Sequence, residues 1–364
     1  MAEERGVFAE EFLSFLNAAC TAYHAVEAAK ERLKATGYVE LYEANATEWS
    51  LARGGKYFFT RNSTTIIAFA VGGAYKSGNG FTVLGAHTDS PCFKIKPVTC
   101  FIKGDSLMLN TQPYGGGLWH TWFDRDLGVA GRVLVRNEVT GGLYSKLVRI
   151  DKAIARIPNL AIHLDRSDTF KPDLQEHAKA ILSMSPGLVG LKPSPEEGEA
   201  VGSRLHPVLL HLVAKAVGID PLSIEDMELQ LIDVQPSSLG GADDELIFSG
   251  RLDNLCSTYQ CLRAQIDIDA ALPSLPTIAM CMLFDHEECG SSSSQGAGSS
   301  MFMDTIRIVT HLLDDSPKVH GYNQGLLMQT LRNSFLCSVG EWGAVMVAAL
   351  APPAQPTIQK TNSI

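Results

Sequence analysis

The sequence predicts an α/β fold interrupted by an inserted, mainly β module. Short β-branched and apolar runs alternate with helical patterns at both ends of the chain, the rhythm of a sheet covered by helices. From about Phe93 to Val234 that rhythm gives way to many short strand-like pieces, with glycine turns at Gly115-Gly116-Gly117 and Gly141-Gly142. After Leu239-Gly240-Gly241 the βα rhythm resumes, and no internal repeat is present.

In chain order, Phe8, Phe12, Phe15 and Leu16 fall at helical spacing and form an apolar stripe. Strong helix formers continue over residues 25–34 until Gly37 stops them. The runs TTIIAFAV at 64–71 and FTVLGA at 81–86 are separated by a turn-rich segment and read as neighbouring buried strands. The second leads directly into His87-Thr88-Asp89-Ser90-Pro91. Within the inserted module, a polar loop at 193–198 precedes an apolar helix over about 206–217. Beyond it, a strand at 245–249, a helix at about 255–265, a strand at 277–284, a Ser/Gly-rich loop and a helix through about Thr310 follow. The Ser-rich loop reads as a flexible entry to that helix, its serines available to cap free N–H groups. The run Phe335-Leu336-Cys337-Ser338-Val339 fits one more strand, whereas the Pro/Ala-rich stretch after it has no periodic element.

Composition limits the function. At 364 residues, 45% hydrophobic and 19% charged, the chain has enough apolar material for one large domain or two ordinary ones. Its formal net charge of −10 and its lack of any Lys/Arg-rich block argue against nucleic acid as a partner. The acidic start has neither the basic nor the apolar region of a secretory signal, and no apolar run approaches the ~20 residues that span a bilayer. No membrane partner is expected. The eight cysteines make no CxxC pair and sit in apolar context, which reads as reduced thiols. A cytoplasmic location is the expectation.

Three places put metal-capable side chains at the ends of predicted strands: His87-Thr88-Asp89, Asp253-Asn254, and Asp285-His286-Glu287-Glu288. A lone His after a strand is more often a hydrogen-bonded structural residue, and acidic loop residues are usually just solvated. Together, however, they supply the inventory of a two-zinc hydrolase: imidazole and carboxylate ligands, a carboxylate able to bridge, and an unligated carboxylate as base. Adjacent residues leaving a strand diverge, so one of Glu287 and Glu288 can meet metal while the other faces a water. Other chemistries fall away. There is no HExxH, GxSxG, GxGxxG after a strand, or GxxxxGK[ST].

At these residues the sequence resembles the aspartyl aminopeptidase family, the M18 group of dinuclear zinc exopeptidases. The matching stretches are GAHTDSPCFKIKP (85–97), YGGGLWHTWFDRDLGVAGRV (114–133), IPNLAIHLDR (157–166), MELQLIDVQPSSLGGADDELIFSGRLDN (227–254) and LFDHEECGSSSSQGA (283–297). They lie in family order. The resemblance implies a mixed-sheet α/β/α zinc exopeptidase-like catalytic domain, in two parts at 1–92 and 235–338, interrupted by a dimerisation domain at 93–234. It further implies that His87 binds one zinc, Asp253 bridges two Zn2+ ions and Glu288 binds the second, with Glu287 as general base and Asp89 orienting His87. His163 matches a family histidine that contributes to an active site from the inserted domain; otherwise it reads as a core histidine on a strand. The implied substrates are peptides with N-terminal Asp or Glu, and the implied assembly is self-association through the inserted domain.

The chain departs from the family pattern at its end. Family chains continue past the match to Ser338 with an ADMAHA-type segment whose Asp is a zinc ligand, and supply a His ligand later. Here Val339-Gly340-Glu341-Trp342-Gly343 follows, and residues 339–364 read as a divergent tail. Each zinc is then expected to lack one protein ligand, and the alternative to a working peptidase is an inactive chain that only associates with intact subunits.

Overall fold

The computed structural model describes residues 2–103, 106–164, 166, 169–184, 205–315 and 323–340. The loop at 193–198 and the tail beyond residue 340 lie outside the described residues. Two helices open the chain, α1 (Ala2–Ala18) and α2 (Ala22–Ala35). The break between them is set by Thr21, whose hydroxyl accepts the His24 N–H as the N-cap of α2. Gly37, at φ +83°, follows the end of α2 as the sequence predicts.

The strands are β1 (Val39–Glu40), β2 (Lys56–Arg61), β3 (Thr65–Val71), β4 (Phe81–His87), β5 (Cys92–Lys103), β6 (Ser106–Tyr114), β7 (Leu127–Arg136), β8 (Leu143–Ala155), β9 (Ala180–Ser183), β10 (Ile224–Asp233), β11 (Ser238–Gly240), β12 (Leu246–Phe248), β13 (Ile278–Phe284) and β14 (Phe335–Ser338). They form a mixed sheet of order β1-β2-β3-β13-β4-β14, an inserted sheet of order β8-β7-β10-β5-β6-β9, and a ribbon of β11 and β12.

The central strands β3 and β13 of the mixed sheet are buried on both faces, and alternation along them shows it, whereas edge strand β14 leaves Phe335 and Leu336 exposed. On β3, Ile66 and Ala68 join one core with Phe15, Leu16 and Leu33 from α1 and α2, while Ile67, Phe69 and Val71 join the other. On β13, Cys281 and Leu283 face the first core, and Met280, Met282 and Phe284 the second. Helix α4 (Leu252–Ile266) covers the first face through Leu255, Tyr259 and Leu262, and α5 (Met301–Leu312) covers the second through Met301, Ile306 and Val309. This is the α/β/α arrangement, as expected.

Two expectations are corrected. β3 and β4 are not neighbours, because β13 lies between them, antiparallel to β3 (Cys281 opposite Ala68) and parallel to β4 (Cys281 opposite Leu84). Every residue of β13 is buried, and the most uniformly apolar strand belongs where both faces are covered by helices. The strand expected at 245–249 is also displaced from the main sheet: β12 pairs with β11, Leu239 opposite Ile247.

The inserted sheet is antiparallel throughout its described pairs. Its own core holds Phe93, Leu109, Leu127, Val129 and Leu231, with Leu209 and Val213 from α3 (Pro207–Val217). Pro207 opens that helix, and His206 caps it by accepting the Val208 N–H on Nδ1. The short 88–91 connection carries the chain from β4 into β5, so the inserted sheet starts immediately beside the strand end that bears His87.

Candidate active site

Strands β13, β4 and β14 run parallel, so their carboxyl ends share one edge of the sheet, the edge where open α/β sheets place their chemistry. His87 is the last residue of β4. Beyond it, the Thr88 N–H donates to the Phe284 carbonyl at 2.7 Å, while Thr258 Oγ1 donates to the His87 carbonyl at 2.6 Å. The imidazole is thus fixed at its root by both neighbouring elements.

Asp89 fixes its ring. His87 Nδ1 lies 3.0 Å from the Asp89 carbonyl oxygen and 3.3 Å from Oδ1. These acceptors assign the proton to Nδ1 and direct the Nε2 lone pair outward. Nε2 faces Asp253 Oδ1 at 3.4 Å and Glu287 Oε2 at 3.8 Å. Burial opposes a charge on His87, but the Asp89 hydrogen bond and the carboxylates of Asp89 and Glu287 outweigh it and raise the pKa. Burial likewise opposes ionisation of Asp89, yet His87, Tyr114 and the Glu288 N–H together hold its pKa below the usual carboxylate value.

Asp253 and the two glutamates arrive from different elements. Asp253 stands in the first turn of α4 with extended backbone (φ −80°, ψ 109°), after Arg251 in the left-handed region and before a cis peptide to Asn254. Its carbonyl accepts the Ser90 hydroxyl at 2.8 Å, tying α4 to the loop after β4. Glu287 and Glu288 occupy a single 3₁₀ turn after β13, entered through His286 at φ 63°. Asp89 holds this turn too, accepting the Glu287 N–H on Oδ1 at 3.3 Å and the Glu288 N–H on Oδ2 at 3.1 Å. The two side chains diverge. Glu287 reaches toward His87, whereas the Glu288 carboxylate lies against Gly115, on the side of the Gly116 N–H.

Other residues behave differently from the sequence expectation. His163 lies in an exposed turn of the inserted module and not on a core strand, and among the described residues no hydrogen bond or ion pair joins it to the cluster. A short turn there leaves its side chain outside the sheet's apolar interior. The serines of the 291–294 loop do not cap α5; Ser299 Oγ accepts the Met301 N–H at 3.3 Å, while Ser300, at the N-cap, makes no side-chain cap bond. Instead Ser293 Oγ bonds His286 Nδ1 at 2.6 Å and accepts the Gly296 N–H at 3.1 Å, bracing the turn that carries Glu287. Asp285 is buried and turned toward His286, 3.3 Å from Nε2. Sequence reasoning missed Tyr114, whose hydroxyl donates to Asp89 Oδ2 at 2.6 Å. Its only sequence signal is its place before the Gly115-Gly116-Gly117 turn.

Asp253 separates two cavities. One of about 320 Å³ is lined by Gly85, His87, Glu287, Phe302 and Leu336, and one of about 850 Å³ by Ser90, Trp122, Arg125, Gln230 and Arg251. A peptide terminus therefore has room beside His87.

The donor set can be tested against zinc. Two ligand atoms on a tetrahedral zinc, each about 2.0–2.2 Å from it, stand about 3.3–3.6 Å apart. The 3.4 Å between His87 Nε2 and Asp253 Oδ1 fits one shared ion. The Nδ1 contacts with Asp89 supply the partner that zinc-binding imidazoles need.

A model of the aminopeptidase I zinc metalloproteases, M18, matches residues 15–346. The chain belongs to the M18 family. Among M18 relatives, a probable aspartyl aminopeptidase of Ricinus communis is 46% identical over 94% of this chain and 72% of its own length. A chain in a cryo-EM structure of an Ape4 and Nbr1 complex aligns with TM-score 0.83 and 36% identity, over 91% of this chain and 63% of its own. A Saccharomyces mApe1 dodecamer structure aligns with TM-score 0.76 and 27% identity, over 90% of this chain and 70% of that one. This M18 chain thus spans about two thirds to three quarters of the proteins it resembles.

One consequence concerns pH. Burial, and next the charge of Asp89, push Glu288 up to about 7. A carboxylate must be ionised to hold a metal, so were Glu288 a ligand, a proton would compete there below pH 7 and metal affinity would fall as the pH is lowered. Zinc titration between pH 6 and 8 is expected to show affinity rising with pH, and Glu288→Gln to flatten that rise by one proton. An unchanged slope in the variant would remove Glu288 from the metal's surroundings.

Proposed function

We propose that this chain forms the catalytic part of a zinc aminopeptidase that removes N-terminal Asp or Glu from peptides. The observation that carries the reading is the convergence of His87, Asp253 and Glu287 within 3.4–3.8 Å at the end of β4, with Asp89 behind them. The aspartyl aminopeptidase name of the Ricinus relative supports the substrate class.

His87, Asp253 and Glu288 would hold the metal, the bridging role going to Asp253 by the family resemblance. When bound, zinc polarises the scissile carbonyl and makes water acidic enough to attack near neutral pH. Glu287, half exposed at the cavity beside His87, takes the proton of the attacking water and passes it to the leaving amine. Asp89 keeps Nδ1 protonated, so Nε2 presents a lone pair throughout. His163 is assigned to an active site reached only in the assembled protein, which suits its exposed turn. Self-association through residues 93–234 is part of the same reading, supported by the dodecamer among the solved structures.

The location proposed is cytoplasmic. Among the described residues no helix is long and apolar enough to cross a membrane. The seven cysteines whose side chains are described are all free, and five of them are buried as small hydrophobes. The test is zinc content together with release of Asp from a short Asp-terminal peptide by the purified chain. Bound zinc and preferential Asp release are expected. No zinc and no release would leave the inactive, associating subunit as the reading.

A further inference from the structure

The carboxyl end of β6 carries the inserted sheet into the metal centre. Tyr114 pairs with Cys92 across β5 and β6, so the inserted sheet sets its position. Lys94 Nζ sits over its ring, 5.0 Å from the centroid, and is 3.5 Å from Glu228 Oε1 on β10. Glu228 in turn accepts the Tyr23 hydroxyl and Arg132 Nη2. Tyr114 is therefore held from both sides before it reaches the site.

Asp89 is 4% exposed, so each of its oxygens must find donors inside the protein. Oδ1 has His87 Nδ1 and the Glu287 N–H; Oδ2 has the Glu288 N–H and the Tyr114 hydroxyl, the closest at 2.6 Å. Without that hydroxyl, Oδ2 keeps one donor, and the carboxylate is freed to rotate together with the ring it orients. The next residues act on the neighbouring glutamate. Gly115 has φ +76°, and a Cβ there would stand 2.7 Å from Glu288 Oε2 and 2.8 Å from its Cβ. Only glycine allows this close approach to Glu288, and the Gly116 N–H follows on the same side of its carboxylate.

We propose that Tyr114, Gly115 and Gly116 form a positioning clasp for the metal centre. Tyr114 fixes the carboxylate that orients His87 and the Glu287–Glu288 turn, and the two glycines seat Glu288. The inserted sheet then shapes the chemistry of its own chain as well as any assembly. The proposal rests on the zinc reading above and deepens it.

The test is zinc affinity of the full chain, by competition with a chromophoric chelator, and the visible spectrum of the Co2+ form. Tyr114→Phe is expected to weaken zinc by about 10–100-fold, the range for lost partners of metal ligands, and to shift the Co2+ bands. The unfolding midpoint of the metal-free chain should fall, since a buried carboxylate loses one donor, while unfolding stays cooperative. In an Asp89→Ala background, Tyr114→Phe should cost nothing further, because it acts through Asp89. Gly115→Ala should weaken zinc with Tyr114 intact. Unchanged affinity in both single variants, full additivity with Asp89→Ala, or loss of cooperative unfolding in Tyr114→Phe would each overturn the clasp. A parent chain that binds no zinc would instead overturn the metal reading, and the clasp with it.

Discussion

Glu287→Gln is expected to lower kcat for release of an N-terminal Asp by about 10²–10⁴-fold, or about 2.7–5.5 kcal/mol of barrier, while zinc content stays near that of the parent. The amide preserves the size of the side chain and leaves the Glu287 N–H free to bond Asp89, so the turn keeps its shape. What disappears is the carboxylate proposed to accept the water's proton. Glu287 lies 3.8 Å from His87 Nε2 and is 55% exposed, open to a water in the cavity beside the imidazole. Steady-state kinetics with an Asp-terminal peptide, paired with metal analysis, check the result. Full turnover in the variant would show that another group is the base, and loss of zinc would make Glu287 a ligand.

His87→Ala is expected to weaken zinc binding by more than the 10–100-fold that lost supporting partners cost, because the proposed imidazole ligand itself is deleted. Turnover should vanish with the metal. The fold should survive. Asp89 retains the Tyr114 hydroxyl and the Glu287 and Glu288 N–H groups, so its buried charge is not left bare. Circular dichroism of the metal-free variant and a zinc titration separate the two effects. Parent-like zinc affinity would displace His87 from the site, and a chain that no longer unfolds cooperatively would make it a framework residue.

The site was legible where local rules apply. A buried strand that ends in His87-Thr88-Asp89 and another that ends in Asp285-His286-Glu287-Glu288 announce polar groups at a sheet edge. Parallel pairing of β4 with β13 brings those ends together. The divergence of Glu287 and Glu288 was also legible, since it needs only their adjacency. Tyr114 was not, because it reaches Asp89 across 25 residues and a whole strand pair. The role of Ser293 was misread for a related reason: serines before a helix suggest caps, but His286 offered a closer partner once β13 and its turn were in place.

By itself the sequence determined the α/β class, most helices and the strands that carry the site, because periodicity is a local property, while its motifs carried the resemblance to M18 and the α/β/α arrangement that it implies; most strands of the inserted sheet were not placed individually. Only the tertiary structure decided that β13 separates β3 from β4 and that β12 leaves the main sheet. It alone also showed that one buried carboxylate, Asp89, takes donors from His87, Glu287, Glu288 and Tyr114. Periodicity states which face of an element is buried. What buries it, and which distant donor satisfies a buried charge, is settled by packing between segments far apart in the chain.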